Sequence, residues 1–197
     1  MGRDDRNRWE AHYGEHAARS AEREISPFVR SAASVLGGRV LDAAAGAGRH
    51  ALYLARRGAV VHAIDIARGG LAAVADAARS ESLPVHCLQA DLEQYPIRAD
   101  HYDAAVVVRY LQRSLFPKLR RAVRPGGVVL VETFLIDQRR LGHPRNPAFL
   151  LQRGELATAF AGFEIVTLEE GLVRGPTGDE YLGRILARRP EPGGVSG

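Results

Sequence analysis

From residue 39 onward, short apolar runs rich in β-formers alternate with windows of helical spacing. The runs are Arg39–Ala43, Val60–Asp65, Val85–Gln89, Tyr102–Val108, Val128–Phe134 and Glu164–Leu168. Several are apolar without alternation, as strands buried on both faces of a parallel sheet read. Helical windows fall at Arg49–Arg57, Leu71–Ser80, Leu115–Ala122 and Glu155–Phe160. This βαβα order predicts an open parallel sheet with helices on both faces. Two short helical stretches precede it. Ser26 and Pro27 suit the N-cap and first turn of the second, and Gly37-Gly38 is expected to end it. Tyr181–Arg189 reads as a last strand or a short helix, and 190–197 as a disordered Pro/Gly tail.

Composition narrows the class. The 197 residues are 46% hydrophobic and 25% charged, an ordinary globular balance for one domain. No apolar run approaches the length of a membrane span, and the charged N-terminus lacks the apolar core of a secretory signal. A soluble cytoplasmic protein is expected. The single cysteine, Cys87, reads as a buried strand residue without a role, and no Cys/His spacing suggests a metal. The net charge is +4 and the pI about 9.6, which raises nucleic acid as a partner. The charge is spread along the chain, however. Of 27 basic Lys and Arg residues only Lys118 is lysine, a bias that reads as GC-rich coding. Nucleic acid is therefore disfavoured, and a monomer or homodimer with a small-molecule substrate is expected.

The chemistry concentrates in Val40–Ala55, VLDAAAGAGRHALYLA. A strand ends at Asp42, a loop of Ala and Gly follows, and a helix opens near Arg49. Such a loop lets backbone N–H groups approach a polar ligand closely. Asp65 closes the second strand, where a carboxylate can hold ribose hydroxyls, and Asp91 follows the third. At such a cleft edge Asp65 is expected to have little packing duty. Gly46-x-Gly48-x-x-Ala51, with Asp65 19 residues beyond Gly46, also satisfies a dinucleotide-binding fingerprint. Three features separate the readings: Asp42 inside the strand end, the second acid Asp91, and Arg124-Pro125-Gly126-Gly127, read as a tight turn into the fifth strand.

Together these resemble the class I S-adenosylmethionine-dependent methyltransferases, strongly over about residues 39–134. In that family the first motif is hydrophobic-D-x-G-x-G-x-G. Ala44 stands here where the family has its first glycine. GRHALYLA is similar to the small tellurite-resistance-type subgroup. The resemblance implies a Rossmann-like, doubly wound, mostly parallel seven-stranded sheet of order 3-2-1-4-5-7-6, with the last strand antiparallel. It implies a single domain over 1–189, with a helical cap at 1–37, a cofactor core at 39–134 and substrate-side elements at 135–189. It implies S-adenosyl-L-methionine as cofactor, held by Asp42, Ala43, Ala44, Gly46, Gly48, Asp65, Ile66, Asp91, Leu92 and Arg109. Asp91 otherwise reads as the cap of a turn.

The substrate is expected at the carboxyl ends of the strands, beside the loop Asp137–Pro147. Arg139, Arg140 and Arg145 there suit an anionic substrate or simply a solvated surface, and His143 is the candidate base. Arg109 and Tyr110, just past strand four, are the other catalytic candidates. Glu132 is expected to pair with Arg109. Trp9 and Tyr13 read as core packing or as a lid. Two further functions share the loop: an NAD-type binding domain, and a cofactor-binding partner protein without turnover.

Overall fold

The computed structural model describes residues 24–175 and 178–193. Trp9, Tyr13 and the first helical stretch lie outside the described residues, as does 194–197 of the expected tail. The first described helix, α1 (Pro27–Ser31), is capped by Ser26, whose hydroxyl accepts from the Phe28 and Val29 N–H groups. It ends at Ser31, well before Gly37-Gly38, and the chain reaches them through turns.

Seven strands follow: β1 (Arg39–Ala43), β2 (Val60–Asp65), β3 (Val85–Gln89), β4 (Tyr102–Val108), β5 (Val123–Phe134), β6 (Glu164–Val173) and β7 (Glu180–Arg188). Between them lie α2 (Arg49–Ala55), α3 (Arg68–Ser80), α4 (Leu115–Ala122) and α5 (Glu155–Ala159). They form one sheet of order β3-β2-β1-β4-β5-β7-β6, in which β7 runs antiparallel to both neighbours. The expected fold is the observed one.

The unbroken apolar runs are explained by two buried faces. Leu41, Ala43, Ala105, Val107, Val129 and Val131 pack on one side with Leu115, Phe116 and Leu119 of α4. Their chain neighbours Val40, Ala104, Val106, Val128 and Leu130 pack on the other with Phe28, Val29, Ala51 and Leu54. Adjacent residues point to opposite faces, so a strand covered twice has no polar side to show. The edge strand β3 lacks that cover, and Cys87 is half-buried.

Element ends differ where long-range pairing decides them. The expected tight turn at Arg124–Gly127 lies inside β5, as an irregularity in its ladder with β4 between Tyr102 and Ala104. β6 continues to Val173 because β7 pairs with it along its whole length. Tyr181–Arg189 lies largely within β7, a strand and not a helix. Among the described residues, no helix is long and apolar enough to cross a membrane.

Candidate active site

The loop between β1 and α2 is built on left-handed backbone. Ala44, Gly46 and Gly48 have φ of 60°, 58° and 71°. At Gly48 a side chain would collide with Val74 of α3, and at Gly70 one would strike the Gly46 carbonyl. The loop and α3 therefore touch backbone to backbone. Ala44 carries a methyl group in a conformation that L residues adopt at a cost of about 1–2 kcal/mol. Several loop N–H groups face inward instead of lining a free cradle. Ala45 donates to the Ile64 carbonyl at 3.1 Å, and Gly48 to the Ala45 carbonyl at 2.9 Å.

Asp65 has the packing duty that the sequence did not suggest. Its carboxylate accepts the Gly46 N–H and the Ala67 N–H, each at 2.8 Å, and the residue is buried. It thus ties the loop to β2 while standing at the strand end expected for it. Its carbonyl accepts the Ala90 N–H at 2.9 Å, and Gln89 donates to the Ile66 carbonyl at 3.0 Å. Those bonds bring the Asp91 turn alongside. Asp91 caps that turn, with Oδ1 accepting the Glu93 N–H at 2.9 Å.

Asp42 is the exceptional group. Among the described residues, its Oδ2 is the buried side-chain polar atom without a hydrogen-bond partner. Burial first, and then the charge of Asp65, push its carboxyl up to about 7 from 3.8. A carboxylate sealed beside another acid calls for a cation. Ala43 and Ile66 flank the two acids and are buried. His50, one residue into α2, was not singled out by the sequence. Burial and then the charges of Arg49 and Arg109 hold it neutral, down to about 3. Its Nε2 accepts from the Ser26 N–H at 3.4 Å and from Arg49 Nε at 3.2 Å.

Arg109, also left-handed at φ 61°, donates its N–H to the Glu132 carbonyl. Its guanidinium is held by Glu180 and stacks over Phe134, and reaches Glu132 only at 3.9 Å. The close partner of Glu132 is Arg184, at 2.7 Å. The expected pairing is present as a long ion pair, but each member has a closer partner on β7. Tyr110 donates its hydroxyl to Gln112.

Past β5 the chain makes 3₁₀ turns at Ile136–Arg140 and Pro147–Phe149. Arg139, Arg140 and Arg145 line one open cleft of about 540 Å³ with Ile136 and Asp137. Asp137 is engaged by Arg153 at 3.0 Å and by Arg140 at 3.7 Å. Among the described residues, Arg139 and Arg145 have no ion-pair partner. The exposed His143 does not line this cleft. Buried Gln138 braces the loop by donating to the His143 carbonyl and accepting the Tyr181 N–H.

The buried acids, the small-residue loop and the adjacent Asp91 turn fit S-adenosyl-L-methionine, whose amino acid and sulfonium are cationic and whose ribose and base offer hydrogen bonds. Comparison with known proteins agrees. Residues 40–127 match the family described as a methyltransferase domain. Over 123 residues the chain is 32% identical to malonyl-[acyl-carrier protein] O-methyltransferase of Serratia marcescens, covering 59% of this chain and 47% of that protein. The chain thus spans about half the length of that curated relative. TehB from Haemophilus influenzae superposes with a TM-score of 0.75 at 20% identity, covering 92% of this chain and 67% of that one. Geranyl diphosphate C-methyltransferase from Streptomyces coelicolor superposes with a TM-score of 0.64 at 18% identity, covering 87% and 77%. At those identities the two structures speak to the fold. Residues 40–127 thus match a methyltransferase-domain model, and the chain shares its fold with solved methyltransferases.

Proposed function

We propose that this protein is a cytoplasmic S-adenosylmethionine-dependent methyltransferase acting on a small, polar or anionic molecule. The observation that carries the reading is the buried Asp42 carboxylate, whose Oδ2 has no hydrogen-bond partner among the described residues. A cationic amino-acid group supplies the missing partner there. The pyrophosphate of a dinucleotide would set negative charge against Asp42 and Asp65, which disfavours the NAD reading.

When bound, the donor supplies an electrophilic methyl group on a sulfonium, so the chain's task is placement. Asp42 takes the ammonium, Asp65 the ribose hydroxyls, and Asp91 with the Leu92 backbone the base. Ala43, Ala44, Gly46, Gly48 and Ile66 form the wall, and exclude water by their close packing. Arg109 stands beside the reacting end with its charge offset by Glu180. Alignment at close range supplies much of the acceleration of such a displacement. A base is needed only for an acceptor that carries a tightly held proton, and His143 and Tyr110 are the candidates for it.

For the acceptor, Arg139, Arg140 and Arg145 offer an arginine-rich cleft, and a guanidinium grips a carboxylate or phosphate through two bonds. Two relatives named above act on acidic molecules, a malonyl carrier and a diphosphate.

The test is incubation of a cell extract with the protein and labelled donor, followed by size separation. A labelled low-mass product supports the reading. Label confined to macromolecules overturns the acceptor class, and stabilisation by NAD(H) instead of S-adenosylmethionine overturns the donor. Donor binding with no labelled product returns the protein to a non-catalytic role. Once the acceptor is known, replacing Arg139, Arg140 and Arg145 by Gln should raise its KM and lessen its salt sensitivity, leaving donor affinity unchanged.

A further inference from the structure

We infer that Lys118 is a positioning residue for the base of the methyl donor and sets the preference for a 6-amino purine, an inference that rests on the donor reading above. Lys118 of α4 extends its Nζ under the turn that follows β3. It donates to the carbonyls of Leu92 at 2.8 Å, Glu93 at 2.7 Å and Tyr95 at 3.1 Å. All three ammonium protons are thereby used, on backbone alone. Lys118 is also the only lysine in a chain that otherwise uses arginine for every basic position. A guanidinium spreads its donors over a planar fork and does not converge on three carbonyls around one point. The ammonium does.

The fastened turn presents two groups side by side. One is the Asp91 carboxylate, steadied through Oδ1 by the Glu93 N–H. The other is the Leu92 N–H, which has no acceptor among the described residues. The turn is closed from behind, where the Asp91 carbonyl accepts both the Gln94 and Tyr95 N–H groups. With the Leu92 carbonyl held by Lys118, the peptide planes around Leu92 cannot rotate freely. An acceptor beside a donor complements the edge of adenine, where the 6-amino group donates and N1 accepts. It opposes hypoxanthine, where N1 carries a proton and position 6 accepts. A site built for such bonds rejects the mismatched base strongly, provided its groups are held in place. Holding them is the role of Lys118.

Calorimetry on the full chain tests this with S-adenosylhomocysteine and S-inosylhomocysteine. The parent should favour the adenine compound by about 100-fold or more. Lys118→Met and Lys118→Arg should each lose roughly tenfold in affinity for it, and the preference between the two compounds should collapse below about tenfold. Asp42→Asn, acting at the other end of the donor, should weaken both compounds equally and keep the ratio. Two variants guard against one that fails to fold. A parent-like ratio in either folded Lys118 variant overturns the inference, whatever happens to stability or to affinity. A parent that binds neither compound overturns the donor reading and this inference with it. A parent that binds both equally overturns the inference alone.

Discussion

Glu180 grips the guanidinium of Arg109 through both carboxylate oxygens, across 71 residues of chain. The pair fastens the start of β7 to the end of β4 and offsets the charge of a cation proposed to face the donor. Each side chain is about 30% exposed, so solvent screens the attraction in part. Replacing Glu180 by Gln should cost about 1–2 kcal/mol of stability in urea unfolding. It should also weaken binding of the cationic donor several-fold, with the loss shrinking as salt is added. Unchanged donor affinity at low salt would remove Arg109 from the donor's surroundings.

Two buried groups titrate in opposition. His50 is held near 3 in the fold against 6.5 when exposed, so the unfolded chain takes the extra proton and stability falls below pH 6.5. At pH 5 that loss is about 2 kcal/mol, whatever the folded value below about 4. Asp42 is raised to about 7 from 3.8, so its contribution is present at low pH and is lost as pH rises through 7. Between pH 8 and pH 5 it adds roughly 2–3 kcal/mol. In the parent the two contributions nearly cancel. Urea unfolding at the two pH values should therefore show stability falling toward pH 5 in Asp42→Asn and rising toward pH 5 in His50→Gln. Parallel pH slopes for the two variants would dismiss both assignments.

Donor binding should move a proton. With its carboxyl raised to about 7, Asp42 is partly protonated at neutral pH and must ionise to meet an ammonium. Affinity for S-adenosylmethionine should climb as pH rises through 7, by up to about tenfold per pH unit on the acid side. Calorimetry in buffers of different ionisation enthalpy should record proton release near pH 6.5. Asp42→Asn should abolish it.

The loop's backbone predicts an asymmetry between two substitutions. Gly48→Ala adds a methyl group at φ 71° and drives it into Val74, so it should cost about 2–4 kcal/mol. Ala44→Gly relieves the same kind of backbone strain and should gain up to about 1 kcal/mol, after the extra freedom of glycine in the unfolded chain is subtracted. Chemical unfolding of both variants decides it.

The strand ends β1, β2 and β4 were legible because two-sided burial writes itself as an unbroken apolar run. Asp42, Asp65 and Asp91 were legible because they lie at or just past the carboxyl ends of parallel strands, which share one edge. The Arg109–Glu132 pair was legible from the same register, but the closest partners of those charges were not. Arg109 pairs with Glu180 and Glu132 with Arg184 because β7 inserts antiparallel beside β5, and no local spacing carries that. The inward turn of the loop N–H groups likewise depends on Asp65, 19 residues from Gly46. Lys118 did leave a trace, as the sole lysine, but its significance needed three carbonyls that no pattern reveals.

The strand order has one more consequence. The three strand-end acids Asp42, Asp65 and Asp91 lie in a stretch completed by residue 91, on one side of the seam between β1 and β4. The arginine cleft and the β6–β7 hairpin lie on the far side, in sequence that the family match, which ends at residue 127, does not reach. The molecule is thus a socket and a tool head joined along one ladder, Val40 to Ala104 through Asp42 to Val106. Exchanges beyond β5 that keep Glu180 on Arg109 leave the hydrogen bonds of Asp65 and Asp91 untouched, so the head can change cargo while the socket stays as it is.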